Sequence, residues 1–373
     1  ATAPAPLTAD FRPASALPPS PMEALAALFG EGHEETARTV VASLSDRVFQ
    51  APPPSPSNLV RRGLARMVWR LMQGTTRMET RPGPDGQEVI FFRNRILERS
   101  GHPYAATLLE PSRADTQDFV EGGDPMNAVY MMLVPEIRRA AGLWDHIILD
   151  SVQARDVQLR FVWESRCSYD LAAARLARGE PVRLKAVAAG AGLSMVLVLD
   201  RLLREGYDPA LISAVIADRE AANVAKAARL LGKLGATRPL LEAGRVQTVT
   251  ENLLAPDDDK PVDVITVMGI LEYFPGHTLT TTERHLGQPE PAGPPHAEEL
   301  VRNVAAMTAA GGSLVTNTFR LVGAVRIMEV FGKKFRYRGR PEMQRLLAGA
   351  GFVPAGRHHS GHIFDVEIFE KRA

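Results

Sequence analysis

The chain has 373 residues, long enough for two or three domains or for one large domain with an accessory segment. Its 44 Lys and Arg residues are matched by 43 Asp and Glu residues, so no overall field draws it toward nucleic acid or anionic lipid, and we expect neither partner. The single cysteine, Cys167, excludes an intrachain disulfide framework and a thiolate-rich metal site; with no apolar run near the roughly 20 residues of a membrane span and no signal-peptide pattern, we expect a cytoplasmic protein.

The first half of the chain predicts helices and one hairpin. Residues 1–21 are rich in Ala and Pro and lack helical or strand period, which predicts a flexible arm. Helical patterns follow in "MEALAALFG" and "HEETARTVVASLSDRVF", and "APPPSPS" then marks a linker. "RMETRPGPDGQEVIFF" alternates around a turn sequence, which predicts a hairpin over residues 77–92. Together with the helical stretches beyond the hairpin, this predicts a mainly helical region over residues 22–178.

Two stretches of the chain are basic. "NLVRRGLARMVWRLMQG" reads as a helix whose arginines lie beside apolar residues. A membrane-surface or nucleic-acid helix has this pattern, but so does a helix packed on a neighbour with a solvated basic face, and we favour the second interpretation. The later cluster comprises Lys333, Lys334, Arg336, Arg338 and Arg340. We favour exposure to water there over contact with an acidic acceptor.

After Gly179 short apolar runs alternate with helical patterns, which is typical of βαβ units and a parallel sheet. Seven strands are predicted, in "VRLKAVAAG", "LISAVIAD", "RVQTVTEN", "VDVITVMG", "GSLVTNTF", "FVPAGRHH" and "IFDVEIFEKR". Helices are predicted between them over residues 193–205, 219–234, 296–309 and 341–349. Residues 179–373 therefore predict an α/β domain.

The first turn from strand to helix, Ala188 to Gly192, consists of small residues. In a doubly wound sheet, ligands bind at the carboxyl ends of the strands, and small residues let the backbone approach them. Asp218 ends the second strand, where a carboxylate can accept hydrogen bonds from both hydroxyls of a ribose. A nucleoside-containing ligand is predicted. Met195 stands where the NAD fingerprint needs a small residue, which disfavours NAD, and the turn lacks the Gly-Lys-Ser/Thr of a P-loop.

The order of these motifs resembles that of the class I S-adenosylmethionine-dependent methyltransferase family over residues 182–373. The resemblance implies a Rossmann-like fold, with a mostly parallel seven-stranded sheet and helices on both faces, and S-adenosylmethionine as the cofactor. By this resemblance the cofactor-binding positions are the turn Ala188, Gly190 and Gly192, the acidic residue Asp218 with its neighbour Arg219, the polar pair Glu251 and Asn252 after the third strand, and Gly269 and Leu271 within "VDVITVMGILEYF".

Two positions depart from the family pattern. Ala188 replaces the first glycine of the turn, and Ala186 replaces an acidic residue of the first strand that helps to hold the methionine end of the cofactor in relatives. We therefore expect another group to hold that end. Arg166 and Tyr169, in the helix that leads into the first strand, are the candidates; ordinary surface polarity and helix packing are the alternative role for both.

Methyl transfer from a sulfonium is an in-line displacement, so the protein chiefly aligns the reacting atoms. Weakly acidic acceptors also need a general base, and Glu272, Tyr273 and His296 are the catalytic candidates. The C-terminal histidines His358, His359 and His362 are further candidates for this base. They lack a partner carboxylate at helical spacing, so we predict no metal site.

The acceptor is predicted to be a small molecule. We expect the Pro-rich insertion "PGHTLTTTERHLGQPEPAGPPHAEEL" and the N-terminal region to line its pocket. Tyr130, Met131 and Met132 are bulky enough to close that pocket, although core packing is the favoured role for each of them. A homodimer is compatible with the sequence. Two other functions stay open: a nucleotide-dependent oxidoreductase of Rossmann type, and a catalytically silent methyltransferase-like binding subunit.

Overall fold

A computed structural model describes most of the chain. It describes residues 17–18, 20–54, 63, 67, 70–72, 74–82, 88–102, 112–113, 123–256, 260–274, 276, 296–320 and 335–372. Most of the predicted N-terminal arm and of the first basic helix lies outside these residues. So do most of the Pro-rich insertion, and Lys333 and Lys334 of the second basic cluster.

The residues after Gly179 form the predicted α/β fold. Its elements are β4 (Val182–Val187), α8 (Leu193–Arg204), β5 (Ile212–Asp218), α9 (Ala221–Lys233), α10 (Arg238–Glu242), β6 (Val246–Thr250), β7 (Val262–Val267), α11 (His296–Met307), β8 (Thr308–Phe319), α12 (Arg340–Ala348), β9 (Phe352–Ser360) and β10 (Phe364–Lys371). The seven strands follow the order β6-β5-β4-β7-β8-β10-β9, and only β10 runs antiparallel to its neighbours. This confirms the predicted fold class, a mostly parallel seven-stranded sheet with flanking helices.

Apolar residues on both faces of the central strands explain why they are buried. In β4, Leu184, Ala186 and Val187 are each at most 3% exposed, and the three valines and the isoleucine of β7 are each at most 1% exposed. Strands covered by helices on both faces are rich in such buried apolar residues. Helix α8 is buried around most of its surface and contacts α2, α7 and α9. Helix α9 is amphipathic and buries one stripe against β5 and β6.

The N-terminal half contributes helices and the predicted hairpin. Its elements are α1 (Pro21–Phe29), α2 (Glu34–Phe49), β1 (Thr76–Pro82), β2 (Glu88–Asn94), α3 (Arg95–Ser100), β3 (Ser112–Arg113), α4 (Gly123–Met131), α5 (Pro135–Ala140), α6 (Leu143–Leu149) and α7 (Val152–Leu176). Strands β1 and β2 pair antiparallel from Thr76↔Asn94 to Pro82↔Glu88, as predicted. None of the helices in the described part of the chain is long and apolar enough to cross a membrane.

Helix α1 is attached to the α/β domain through its C-terminal end. The buried Lys233 of α9 donates to the carbonyls of Ala27, at 2.7 Å, and Gly30, at 2.6 Å, and Arg229 donates to the carbonyl of Phe29. The last carbonyls of a helix have no partner within the helix, so cations bind them favourably. The two basic side chains of α9 therefore fix the end of α1. A domain boundary at residues 178–179 stays a prediction.

Helix α7 packs across the sheet and contacts β4, β7, β8 and β10. Near its start, the Asp156 carboxylate accepts backbone hydrogen bonds from His362, Ile363 and Phe364, at 2.6 to 2.7 Å. A Cβ on Gly361 would lie 2.7 Å from both Asp156 oxygens, so only glycine fits beside the carboxylate. This contact joins the helix to the connection between β9 and β10.

We expect Asp156→Ala to lower the free energy of unfolding by about 3 kcal/mol, because it leaves three buried N–H groups without an acceptor and each such loss costs about 1–3 kcal/mol, partly recovered by water. Chemical denaturation of the purified variant measures this change. Glu242→Ala, at an exposed position of α10, is the control and should change stability by less than about 0.5 kcal/mol. An Asp156 variant as stable as the parent would show that these hydrogen bonds do not stabilise the contact between α7 and the connection from β9 to β10.

Candidate functional site

The predicted site residues lie at the carboxyl ends of the parallel strands. The chain passes from β4 outward to β5 and β6 and then returns to β7 on the other side of β4. The order of strands therefore reverses between β4 and β7, which is where ligands bind in open α/β sheets. The turn after β4 and the loop after β7 flank this crevice.

The turn after β4 is left-handed at three positions. Ala188 has φ 50°, Gly190 has φ 56° and Gly192 has φ 66°. A Cβ on Gly192 would lie 2.6 Å from Cγ2 of Ile216, so this glycine allows close packing of α8 on β5. Ala188 adopts the same backbone region without glycine's freedom, and this costs roughly 1–2 kcal/mol for an L-residue.

Asp218 connects this turn to the end of β5. Its Oδ2 accepts from the N–H of Gly190 at 2.7 Å, and its Oδ1 accepts from the N–H of Glu220 at 2.9 Å and from Nδ2 of Asn223 at 3.2 Å. The residue is 8% exposed. The carboxylate thus lies beside the glycine turn, as the ribose interpretation requires, but most of its acceptor capacity is used by the protein. Arg219, next along the chain, is exposed and lies 3.3 Å from Glu220.

Glu251 and Asn252 follow β6 and differ in role. The Glu251 carboxylate lies 2.8 Å from Nζ of Lys185, a lysine that is fully buried in β4. Its charge therefore neutralises that buried lysine. Asn252 is exposed, and its side-chain oxygen accepts from the N–H of Leu254 at 3.1 Å. Of the pair, Asn252 is the one whose side chain is open to a ligand.

The loop after β7 contains Gly269, Leu271 and Glu272. Gly269 has φ 70°, and its N–H donates to Oδ1 of Asn317 at 2.6 Å. Leu271 is buried. Burial raises the pKa of the Glu272 carboxyl above its ordinary range, against the opposing effect of Arg160. Oε1 of Glu272 lies 4.0 Å from the Arg160 guanidinium, so the loop and α7 meet at this point.

Arg160 and Glu164 were not predicted from the sequence. They are four residues apart on α7 and therefore share one face of the helix. Arg160 lies against Gly269, where a Cβ would be 2.8 Å from its Nη1, and Glu164 is hydrogen-bonded to Ser194 at the start of α8. The signal that could have found them is this spacing of opposite charges within an otherwise apolar stretch of α7.

Arg166 and Tyr169 lie on a different side of α7. Arg166 donates to the carbonyls of Val48, at 2.6 Å, and Ala51, and the hydroxyl of Tyr169 is bonded to Glu205. Glu205 follows the C-terminal end of α8, about 18 Å from the glycine turn by the length of that helix. This geometry does not support their assignment to the methionine end. With Trp163 and His359 they line a separate cavity of about 350 Å³.

The other two catalytic candidates lie less centrally than Glu272. Tyr273 packs its ring on Phe335, with centroids 5.4 Å apart. His296 begins α11, is partly exposed, and has Nδ1 3.4 Å from Glu299. Of the three candidates, Glu272 is the one for which the structure records an ion pair with α7.

The residues expected to close the acceptor pocket divide between core and site. Met131 and Met132 are buried and pack in the core. Tyr130 stacks on Phe161, with centroids 4.0 Å apart, and raises the pKa of Arg160, against the effect of burial. Tyr130 therefore reaches the site from α4. Among the described residues, no cluster of His, Cys, Asp or Glu could hold a metal ion.

The strand order and the single antiparallel strand decide the fold. The chain has a Rossmann-like fold with a mostly parallel seven-stranded sheet. No protein-family model matches the sequence, and no curated protein matches it.

Several solved structures are similar in shape at low identity. A possible exported protein from Bordetella parapertussis is 16% identical, with 90% of this chain and 98% of that chain covered and a TM-score of 0.45. The CurJ carbon methyltransferase is 14% identical, with 95% and 97% covered and a TM-score of 0.41. A magnesium protoporphyrin IX methyltransferase from Synechocystis with bound S-adenosylhomocysteine is 13% identical, with 58% and 86% covered and a TM-score of 0.39. Likeness at this level does not extend to substrates or activity.

We expect Ala188→Gly to raise the free energy of unfolding by about 1 kcal/mol, because glycine adopts positive φ without the Cβ clash. Denaturant titration of the variant measures it. Ala243→Gly, at the C-terminal end of α10 where φ is −79°, is the matched control and should not be stabilising, since glycine there only adds entropy to the unfolded chain. Destabilisation by Ala188→Gly would show that the left-handed backbone is not strained.

Proposed function

We propose that the chain is an S-adenosylmethionine-dependent methyltransferase with a small-molecule acceptor. The observation that carries this is the carboxylate of Asp218 at 2.7 Å from the backbone of Gly190. It brings a ribose-binding acid and a left-handed small-residue turn together where the strand order reverses. A nucleoside with no pyrophosphate suits this turn, since Met195 is buried at the start of α8 where a dinucleotide fold needs a small residue.

The described residues fit this cofactor. Left-handed Gly190 and Gly192 let the backbone of the turn approach a nucleoside, and Asp218 retains capacity to accept from a ribose hydroxyl. Asn252 is exposed beyond β6 and is proposed to contact the adenine. Gly269, where a Cβ would lie 2.8 Å from the Arg160 guanidinium, is proposed to line the other wall. When bound, the cofactor supplies an electrophilic methyl group.

The proposed position of the acceptor is over the loop after β7. Glu272 is buried there with a raised pKa, so it suits a proton acceptor for a hydroxyl or amine better than an ordinary solvated carboxylate does. Tyr273 lies next to it on the same loop and His296 farther out. The N-terminal region contributes Tyr130 beside Arg160, which supports a role for that region in the acceptor site.

The purified protein is expected to bind S-adenosylhomocysteine with micromolar affinity, about −8 kcal/mol, and not to bind NAD. Isothermal titration calorimetry with both ligands tests this. Tight NAD binding with no response to S-adenosylhomocysteine would favour the oxidoreductase instead. Binding of S-adenosylhomocysteine without turnover across a panel of hydroxyl and amine acceptors would favour a silent binding subunit.

We expect Asp218→Ala to weaken S-adenosylhomocysteine binding by about 1.5–3 kcal/mol, the scale of hydrogen bonds to a charged group. Because Asp218 also holds Gly190, Glu220 and Asn223, thermal unfolding is measured on the same sample. Glu220→Gln removes a neighbouring exposed carboxylate and is the control. Unchanged affinity in a folded Asp218 variant would exclude the ribose assignment.

A further inference from the structure

Arg160 is a buried cation at the edge of the proposed site. It is 8% exposed, and its guanidinium carbon lies 4.6 Å from the ring centroid of Phe364. Oε1 of Glu272 lies 4.0 Å from Nη1 of Arg160, at the outer limit of an ion pair. Within the described residues, Nε of Arg160 has no hydrogen-bond partner. The guanidinium is hydrogen-bonded to Tyr130 and also interacts with Glu164, but no carboxylate lies at contact distance on its Nε. Buried charges are normally paired at contact distance, so this edge of the guanidinium has capacity for an anionic group.

Glu164 lies one helical turn further along α7 on the same face. It is hydrogen-bonded to Ser194, the second residue of α8, so it lies beside the end of the glycine turn. Burial raises the pKa of its carboxyl to about 7, against the effects of Arg160 and of the Ser194 hydrogen bond. A carboxylate that is costly to ionise when alone gains most from a cationic ligand.

The two side chains present opposite charges about 6 Å apart along the helix. Arg160 faces the loop at Gly269, and Glu164 faces the start of α8. These are the two walls of the crevice between β4 and β7. A ligand that enters between them meets a cation on one side and an anion on the other.

We propose that Arg160 and Glu164 bind the two charges of an α-amino acid group, with the carboxylate on Arg160 and the ammonium on Glu164. This inference rests on the proposed function, under which the α-amino acid group is the methionine end of the cofactor. In β4, Ala186 is buried and uncharged, and the neighbouring Lys185 is already paired with Glu251. Neither residue can therefore bind a charge of the amino acid group. Glu164 of helix α7 therefore supplies the carboxylate that β4 lacks.

The test compares two nucleosides that differ only at this end. S-adenosylhomocysteine has the α-amino acid group, and 5′-methylthioadenosine lacks it. The parent is expected to bind S-adenosylhomocysteine at least about tenfold more tightly, the lower end expected for hydrogen bonds between charged groups. Calorimetry on the full chain gives both dissociation constants and their ratio.

In Arg160→Gln and Glu164→Gln, affinity for S-adenosylhomocysteine should fall about tenfold or more, while affinity for 5′-methylthioadenosine stays within about threefold. The charge-matched controls on the same helix are Arg175→Gln, near the opposite end, and Asp170→Asn, on the exposed side. Both should leave the ratio unchanged. If the glutamine variants do not fold, Arg160→Lys and Glu164→Asp are measured instead. Because these variants keep the charges, they should still bind S-adenosylhomocysteine more tightly than 5′-methylthioadenosine, but by a smaller ratio than the parent.

Each contrary result is distinct. A parent that binds both nucleosides equally well retains the proposed nucleoside site but overturns the role of Arg160 and Glu164. Variants that weaken both nucleosides to the same degree, or neither, overturn it as well, because they show a general structural role or none. A parent that binds neither nucleoside refutes the proposed function, and the inference falls with it.

Discussion

The docking of α7 on the sheet is the constraint on which the proposed site depends. The helix is anchored at its start, where Asp156 accepts three backbone hydrogen bonds from the connection between β9 and β10. Arg160 follows one turn later and Glu164 one turn after that, so the position of both charges is set by this anchor. The same connection begins β10 with Phe364, whose ring lies under the Arg160 guanidinium. One buried carboxylate thus aligns strand β10, helix α7 and the central crevice.

Most of the sheet could be predicted from the sequence because its signals are local. Each parallel strand is a short apolar run followed by an amphipathic helix, and these patterns depend on burial and not on the particular partner. The turn at Ala188 to Gly192 and the carboxylate of Asp218 were likewise visible, since both stand directly after strands. The structure then placed them 2.7 Å apart, which no local pattern could specify.

The charged residues on α7 could not be assigned in the same way. A helix offers polar side chains on several faces, and the choice among them depends on which face meets the sheet. Arg166 and Tyr169 lie nearer to β4 in the sequence, but Arg166 binds carbonyls at the C-terminal end of α2 and Tyr169 binds Glu205. Arg160 and Glu164 are farther from β4 in the sequence, but Arg160 lies against Gly269 and Glu164 lies against the start of α8. Glu251 shows the same limit, because its partner Lys185 belongs to a strand two places away in the sheet.

The buried pair of Lys185 and Glu251 has a consequence for how the sheet assembles. It joins β4 to the residue after β6 across the intervening strand β5, where Lys185 lies beside Val215 and Val215 beside Gln247. A slip of β4 by one residue would turn Lys185 to the opposite face of the sheet. Both charges would then be buried without partners, at a cost of several kcal/mol. The pair therefore favours the native register of β4 over a shifted one, even where its net contribution to the free energy of unfolding is small.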